Sequence, residues 1–301
     1  MIDYRSLEIF YWVARLGGFR RAAVRLCTTQ PAVSARILQL EHMLKARLIE
    51  RERRHPITLT RKGAELLIYA ERMLRLQSEM MAAMNGSPVY EGIVRIGVAD
   101  TIVHTWLPEL VRRLRMDYPN ITLEVSVDVS PVLKELLSSG DIDLALMVGP
   151  IDLPKVRNIP LRTTEIAWVV APEYPVSGTP VRLSDIAAHP ILTFSRTTEP
   201  YQKVMSVLAA SDLSVRMFPN SSLSSIIRMT IDGVGIAALP AVAVAREVAS
   251  GQLRRLETDI ALPPITFTAS FIEAPDTALV TMIATLAAEI ADAPAMQAKV
   301  A

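Results

Sequence analysis

Cysteine is almost absent: Cys27 is the single one in 301 residues. No intramolecular disulfide can form, and a reducing cytoplasm is the expected setting. Cys27 itself is expected to be buried rather than catalytic. No Cys-x-x-Cys pair exists, and His42, His55, His104 and His189 are scattered without ligand spacing. A metal site is therefore not expected, and nothing asks for another cofactor. Aromatic residues make up only 5% of the chain. Ala, Val, Leu and Ile carry the apolar half, as suits helices packed on strands. Long apolar runs are missing as well. The longest near the C-terminus, residues 234–245, is 12 residues long and contains Pro240, whereas a membrane span needs about 20. Around Asp3 and Tyr4 no basic segment leads into an apolar stretch, so neither a signal peptide nor a membrane partner is expected.

Excess charge is missing overall, with a net of +1, but it is unevenly placed. Residues 1–87 carry 15 Lys/Arg and 8 Asp/Glu, and the remainder carries 17 and 23. A basic first third on an acidic remainder suits one segment facing a polyanion, although a solvated basic surface gives the same count.

What is present in that basic third is a helix pattern. Leu7, Ile9, Phe10, Val13 and Ala14 form an apolar face that Gly17-Gly18 terminates. A second short helix follows over residues 20–26, then the turn Cys27-Thr28-Thr29. Thr29 is a good N-cap and Pro31 suits a first helical turn. In the helix that follows, Val33, Ile37 and Leu40 face one way, leaving Gln30, Ser34 and Arg36 on another side. Short helix, tight turn and polar-fronted helix make a helix-turn-helix. Small residues let such a helix enter a major groove about 12 Å wide. Gln30 and Arg36 suit base edges; Thr28, Thr29 and Ser34 suit phosphates. On pattern alone an ordinary helical hairpin fits equally well. Beyond it, Pro56 and the Ile57/Leu59 alternation predict a β-ribbon tipped by Arg53, Arg54 and His55. This would be a wing against phosphates or in the minor groove, or else a solvated turn.

The combination and order of Phe10-x-x-Val13-Ala14, Gly18-Phe19-x-x-Ala22-Ala23-x-x-Leu26, Gln30-Pro31-Ala32-Val33-Ser34, Leu40-Glu41, Glu50-Arg51 and Leu59-Thr60-x-x-Gly63 is specific. It resembles the winged helix-turn-helix of LysR-type transcriptional regulators over about the first 65 residues. The resemblance implies double-stranded DNA as partner, and the candidate contacts are Thr28 and Thr29 of the turn with Gln30, Pro31, Ser34 and Arg36 of the helix.

Thr60 can cap a further helix. Leu66, Ala70, Met73, Gln77, Met80 and Met84 follow at spacings of 4, 3, 4, 3 and 4, a heptad seam. It predicts a homodimer contact, the alternative being a helix lying on its own domain. Asn85-Gly86-Ser87-Pro88 ends it as a hinge. The resemblance implies the same linker helix, assembly to tetramers, and RNA polymerase as a further partner.

From residue 88 onward strand and helix patterns alternate, which predicts parallel sheets with helices on their faces. Strands are expected at Gly92–Val98, Ile121–Val127, Leu144–Val148, Ile166–Ala171, Ile191–Phe194, Ser214–Phe218, Gly235–Leu239 and Thr266–Ile272. The last is the return crossing of a two-subdomain cleft domain like a periplasmic binding protein. The fold class is α/β overall: a winged helix-turn-helix over 1–60, a linker helix and hinge over 61–87, and an effector domain over 88–301. Its first subdomain is expected over 88–162 and 267–301, its second over 163–266. Ile96-Gly97, Leu107-Pro108 through Tyr118-Pro119, Gly140-x-Ile142-Asp143-Leu144-Ala145 and Gly233-x-Gly235-Ile236-Ala237-x-Leu239-Pro240 resemble the effector domain of the same family. Gly233-Val-Gly235-Ile-Ala-Ala238 also fits a dinucleotide fingerprint, but a helix precedes it and a strand follows, the reverse of what that motif needs. A helix-to-strand turn is the better reading.

Ligands of open α/β sheets sit at strand carboxyl ends near helix N-termini. Three such ends carry hydroxyls: Thr101, Ser130, and the run Ser195-Arg196-Thr197-Thr198. Thr101, Ser130 and Thr198 read equally as helix N-caps. Asp100 either caps its own helix or faces the cleft, where it would oppose an anion that Arg196 could offset. The resemblance implies that Thr101, Ser130 and Ser195 lie in the family's cleft. Asp100, Thr101, Ser130, Ser195, Arg196 and Thr197 are therefore the candidate contacts for a small polar effector, a carboxylate above all. The expected function is effector-responsive transcription regulation without catalysis. A transport binding protein and an enzyme are the competitors; the basic first third argues against the former, and no nucleophile–base pair supports the latter.

Overall fold

The computed structural model describes residues 3–50, 57–84, 92–176, 178–209, 213–274 and 277–293. The N-terminal head packs α1 (Tyr4–Leu16), α2 (Phe19–Arg25) and α3 (Gln30–Leu44) around Phe10, Val13, Ala22, Val33, Ile37 and Leu40. Asp3 starts α1 by accepting the N–H of Ser6 at 2.8 Å. Gly17 ends it at φ 62°, a conformation that favours glycine. The Thr29 hydroxyl accepts the N–H of Ala32 and starts α3, with Pro31 in the first turn.

Cys27 departs from expectation. It is exposed, not buried, at φ 49°. The N–H of Cys27 reaches the Val24 carbonyl and that of Thr28 the Ala23 carbonyl, and this tight wrap leaves Cys27 off the core side of the turn.

Residues 48–50 and 58–60 form the base of the ribbon. Ile49 bridges Leu59 antiparallel, Glu50 N–H reaches the Thr58 carbonyl at 2.9 Å, and Thr60 N–H reaches that of Leu48 at 3.0 Å. The tip, with Arg53, Arg54 and His55, lies outside the described residues. Glu41 of α3 holds the base: its Oε1 accepts the N–H groups of Leu48 at 2.7 Å and Ile49 at 3.3 Å.

The long helix α4 (Arg61–Met84) starts where Thr60 Oγ1 accepts the N–H of Gly63 at 3.0 Å. Glycine is required at 63, because a Cβ there would lie 2.0 Å from the Leu48 carbonyl oxygen. The heptad seam divides into two faces. Ala70 and Leu74 are buried in the head, and Leu66 and Leu67 pack against the same core. Met73 and Met80 instead stand exposed with Ile68, Tyr69 and Leu76. Gln77 is half-buried, and the side chain of Met84 lies outside the described residues. The reason is that α1 packs along one side of α4, so the row facing it serves this chain's own core.

The C-terminal part runs β1 (Gly92–Val98), α5 (Asp100–Val103), α6 (Leu107–Asp117), β2 (Ile121–Val127), α7 (Ser130–Ser139), β3 (Leu144–Val148) and β4 (Val156–Thr164). It continues through β5 (Ile166–Val170), α8 (Leu183–Ala187), β6 (Pro190–Phe194), α9 (Glu199–Ala209), β7 (Arg216–Asn220) and α10 (Leu223–Ile231). It ends with β8 (Ile236–Pro240), α11 (Ala245–Ala249), β9 (Arg254–Arg255), β10 (Ile265–Ile272) and α12 (Ala278–Asp292). Two five-stranded sheets result, in the orders β2-β1-β3-β10-β4 and β7-β6-β8-β5-β9. They are mixed rather than parallel: β10 runs antiparallel to β3 and β4, and β5 antiparallel to β8 and β9. The sequence reading missed β4, an edge strand that holds Pro160 and a half-exposed, irregular pattern, as edges tolerate. The glycines near 233 make the expected helix-to-strand turn. Gly233 sits at φ 75°, and a Cβ on Gly235 would lie 2.3 Å from the Pro190 carbonyl oxygen.

Glu165 alone separates β4 from β5, so it occupies one crossing between the sheets. Its carboxylate takes both amino groups of Arg255, at 2.6 and 2.9 Å. Beside it, the hydroxyls of Thr163 and Thr266 meet at 2.9 Å across the two crossing strands. The hydrogen bond from Arg255 holds the Glu165 carboxyl below its ordinary value. A depressed carboxylate contributes stability that is fully present above about pH 4.3 and lost as pH falls further. The pair is half-exposed, so its worth is only about 0.2–1 kcal/mol. Arg255→Met should move the Glu165 titration, followed by carboxyl NMR, back up to the ordinary range and flatten that part of the acid unfolding curve. Glu41→Ala, by contrast, should cost about 1–3 kcal/mol in urea unfolding, since it strips two N–H groups of their acceptor.

Candidate nucleic-acid interface and ligand cleft

Helix α3 shows two faces. Val33, Ile37 and Leu40 are buried, while Gln30, Pro31, Ala35, Arg36 and Gln39 are exposed. Thr28 and Ser34 are half-buried, and Thr29 is exposed but already occupied as the cap. The Arg36 guanidinium lies 3.3 Å from the Asp3 carboxylate, with both side chains nearly half exposed. Asp3 is held below its ordinary value by the Ser6 N–H first, with Arg36 adding to it. An exposed pair of this kind leaves Arg36 available to exchange partners. Gly18, Arg20, Arg21, Thr28 and Gln30 line a concave face of about 1100 Å³ beside the start of α3. Arg20 is exposed there, while Arg21 reaches back to the Leu16 carbonyl at 3.1 Å. The sequence reading overlooked Arg20; the Arg-Arg pair opening a short helix was its signal.

A second concavity, of about 330 Å³, opens between the two sheets. From the first sheet's side come Asp100, Thr101, Asp128 and Ser130. From the second come Thr198, Ser221 and Ser222, and Val127, Val148, Phe194, Ile265 and Phe267 supply apolar wall. Thr101 and Ser130 thus meet in one cavity as expected. Ser195, Arg196 and Thr197 do not line it; Thr198 takes their place. Arg196 is exposed, and its carbonyl accepts Gln202 Nε2 at 2.8 Å. Ser221 and Ser222 were missed, although they follow strand β7 and precede α10, which is the rule that found Thr101 and Ser130.

The hydroxyls are not equivalent. Ser130 Oγ accepts the Val148 N–H at 3.2 Å and therefore ties α7 to β3 instead of capping its own helix. Thr198 donates to the Ser195 carbonyl at 2.7 Å. Thr101 is 5% exposed, and its hydroxyl makes no hydrogen bond among the described residues. Asp100 settles the choice left open by sequence: it lines the cavity and also caps a helix, but not its own. Its Oδ2 accepts the N–H of Leu223, the first residue of α10, at 2.8 Å across the cleft. Beside it His104 Nε2 meets Ser224 Oγ at 3.0 Å and lies 3.6 Å from Asp100. A carboxylate at a helix N-terminus is favoured by the aligned peptide dipoles by about 0.3–1 kcal/mol. The two halves of the domain are thus clasped over the cavity.

A head with an exposed polar reading helix, a long helix, and a two-lobed domain with a clasped cavity define a ligand-responsive DNA-binding regulator. Residues 89–290 match the family model described as the LysR substrate binding domain, and residues 4–64 that of the bacterial regulatory helix-turn-helix protein, lysR family. The transcriptional regulator GltR of Bacillus subtilis (strain 168) is 28% identical over 254 residues, covering 84% of each chain. Among solved structures, ArgP from Mycobacterium tuberculosis superposes with a TM-score of 0.64 at 25% identity, covering 97% of this chain and 98% of that one. A full-length OxyR variant from Pseudomonas aeruginosa gives 0.65 at 19% identity, covering 95% of each. The chain belongs to the LysR family of bacterial transcriptional regulators. It is a DNA-binding regulator whose C-terminal domain binds a small-molecule effector.

The free hydroxyl of Thr101 makes a contrast measurable. Thr101→Val should leave unfolding stability within about 0.5 kcal/mol, since no bond within the chain is lost. Thr193→Val, which removes a buried bond of 3.0 Å to the Ala238 carbonyl, should cost about 1–2 kcal/mol in the same denaturation experiment.

Proposed function

We propose that this chain reads DNA as a dimer, through α3 of each copy, under the control of an effector held at Thr101, Ser130, Thr198 and Ser222. The observation that carries the reading is the cleft: a nearly buried Thr101 whose hydroxyl has no partner among the described residues, beside a clasp joining the two lobes. Gln30 and Arg36 address base edges, and Thr28 and Arg20 address phosphates. Arg53, Arg54 and His55 belong to the wing in the same reading. Ligand contacts that differ between clasped and opened forms shift the balance of assemblies on DNA by as much as the difference in affinity allows. The protein works in the cytoplasm and carries out no catalysis. Two recognition helices of one dimer meet half-sites about one helical turn apart, ~34 Å. Assembly to tetramers and contact with RNA polymerase belong to the same proposal.

The dimer surface is the outward row of α4. Ile68, Tyr69, Met73, Leu76 and Met80 leave 54–68% of their surface in solvent, in keeping with a contact made by a second copy. Footprinting on the DNA upstream of its own gene, at two salt concentrations, tests the reading. A protected, roughly palindromic site that weakens with salt is expected. Arg36→Ala should blur that site and cost about 1–3 kcal/mol of preference for it; sequence-independent binding alone would defeat the proposal. In sedimentation, Met73→Glu with Met80→Glu should release monomers, whereas Ala70→Glu, aimed into the head, should unfold it.

A further inference from the structure

Resting on the effector reading above, we propose that the cavity selects a small organic cation, an amine or guanidine on a short apolar body, and rejects carboxylates. The charge of the lining points there. Asp100 and Asp128 both face the cavity, and among the described residues no lysine, arginine or histidine lines it. The nearby bases are turned to other partners. Lys203 pairs with Glu199 at 2.9 Å and with the Pro264 carbonyl, and Arg196 stands exposed outside the lining. An anion would enter against two carboxylates with no ion to offset them.

Helix N-termini would ordinarily favour an anion in such a cleft, and here those of α7, α9 and α10 are curtailed, while the four-residue α5 begins with the carboxylate of Asp100. The start of α10 is taken by Asp100 and by the Ser222 hydroxyl, which accepts the Ser225 N–H at 3.3 Å. The first turn of α7 contains Pro131, which has no N–H, and the Val129 N–H just before it is held by Asp128 at 2.7 Å. The first turn of α9 contains Glu199 and Pro200, one adding negative charge and the other removing a donor. Acceptors for a ligand come from Asp100, Asp128 and Thr198, while Ser130 and Ser222, whose oxygens take the Val148 and Ser225 N–H groups, keep a hydroxyl proton to give. Thr198 lines the cavity and donates its proton to the Ser195 carbonyl, so its oxygen has only lone pairs left to offer. Asp100 Oδ1 lies 3.6 Å from His104 and retains lone pairs for a second donor. Thr101, 5% exposed and unpartnered, accepts from a donor as readily as it gives to one. The walls of Val127, Val148, Phe194, Ile265 and Phe267 match an apolar body. The arrangement therefore reverses the carboxylate expected from the Ser195-Arg196 run.

The test uses the full-length protein and probes matched in shape but opposite in charge: butylamine with butyrate, and benzylamine with benzoate. Thermal unfolding with each at millimolar concentration reads binding directly. The amines should raise Tm by about 3 °C or more, and the acids should leave it unchanged. Asp128→Asn and Asp100→Asn keep an amide oxygen for the Val129 and Leu223 N–H groups, so they should fold, and they should weaken amine binding at least about tenfold. Stabilisation by the acids, or none by either amine, overturns the proposal, as do amine shifts that survive both substitutions. Footprinting of the same preparation separates the two readings. A protected operator with no amine effect removes only the cation, whereas absence of any preferred DNA site removes the regulator as well.

Discussion

A hydrogen bond joins the two lobes over the cavity: Asp100 of the first sheet's side accepts the N–H of Leu223 at the start of α10, and His104 meets Ser224 beside it. The bond fixes the distance between the sheets, shelters Thr101 beneath it and aims a negative group into the cavity. It also takes the first N–H of α10, a group that would otherwise favour an anion. The clasp, the hydroxyl lining and the charge preference are therefore one arrangement. Between the lobes, Glu165 and Arg255 pin a crossing that is a single residue long. A domain held by a short crossing and a polar clasp opens by rotating about the former and breaking the latter.

The same device, a side-chain oxygen at a helix start, organises the head. Asp3 begins α1, Thr29 begins α3 and Thr60 begins α4. Each cap satisfies a backbone N–H that no intrahelical carbonyl can reach. Thr60 further donates to the Arg47 carbonyl at 2.6 Å, and Glu41 grips the adjoining backbone. The reading helix, the ribbon and the linker helix are consequently registered to one another by polar bonds over a shared apolar core. Asp3 serves twice, since its second oxygen also meets Arg36.

Much of this was legible in the residues. Thr29, Pro31 and the Val33/Ile37/Leu40 face dictated α3, because caps and helical periodicity are local signals. The strand-end rule located Thr101 and Ser130, because chain order fixes which residue follows a strand. What escaped was decided by contacts distant in sequence. Asp100 caps a helix 123 residues away, which no local pattern encodes. The heptad row of α4 is a single repeat in the sequence, yet α1 covers one side of it and divides its members between core and surface. Strand β4 escaped since an edge needs neither alternation nor freedom from proline. Thr198 replaced its three neighbours because Ser195, Arg196 and Thr197 occupy the turn before α9, and only the last residue of that run turns inward.

Cys27 stands exposed in the turn immediately ahead of the reading helix, and it is the chain's single thiol. Each copy of the protein therefore carries one native attachment point for a fluorescent or spin reporter, on the helix-turn-helix head. Two such reporters in an assembly measure the separation of its reading heads without any engineered residue.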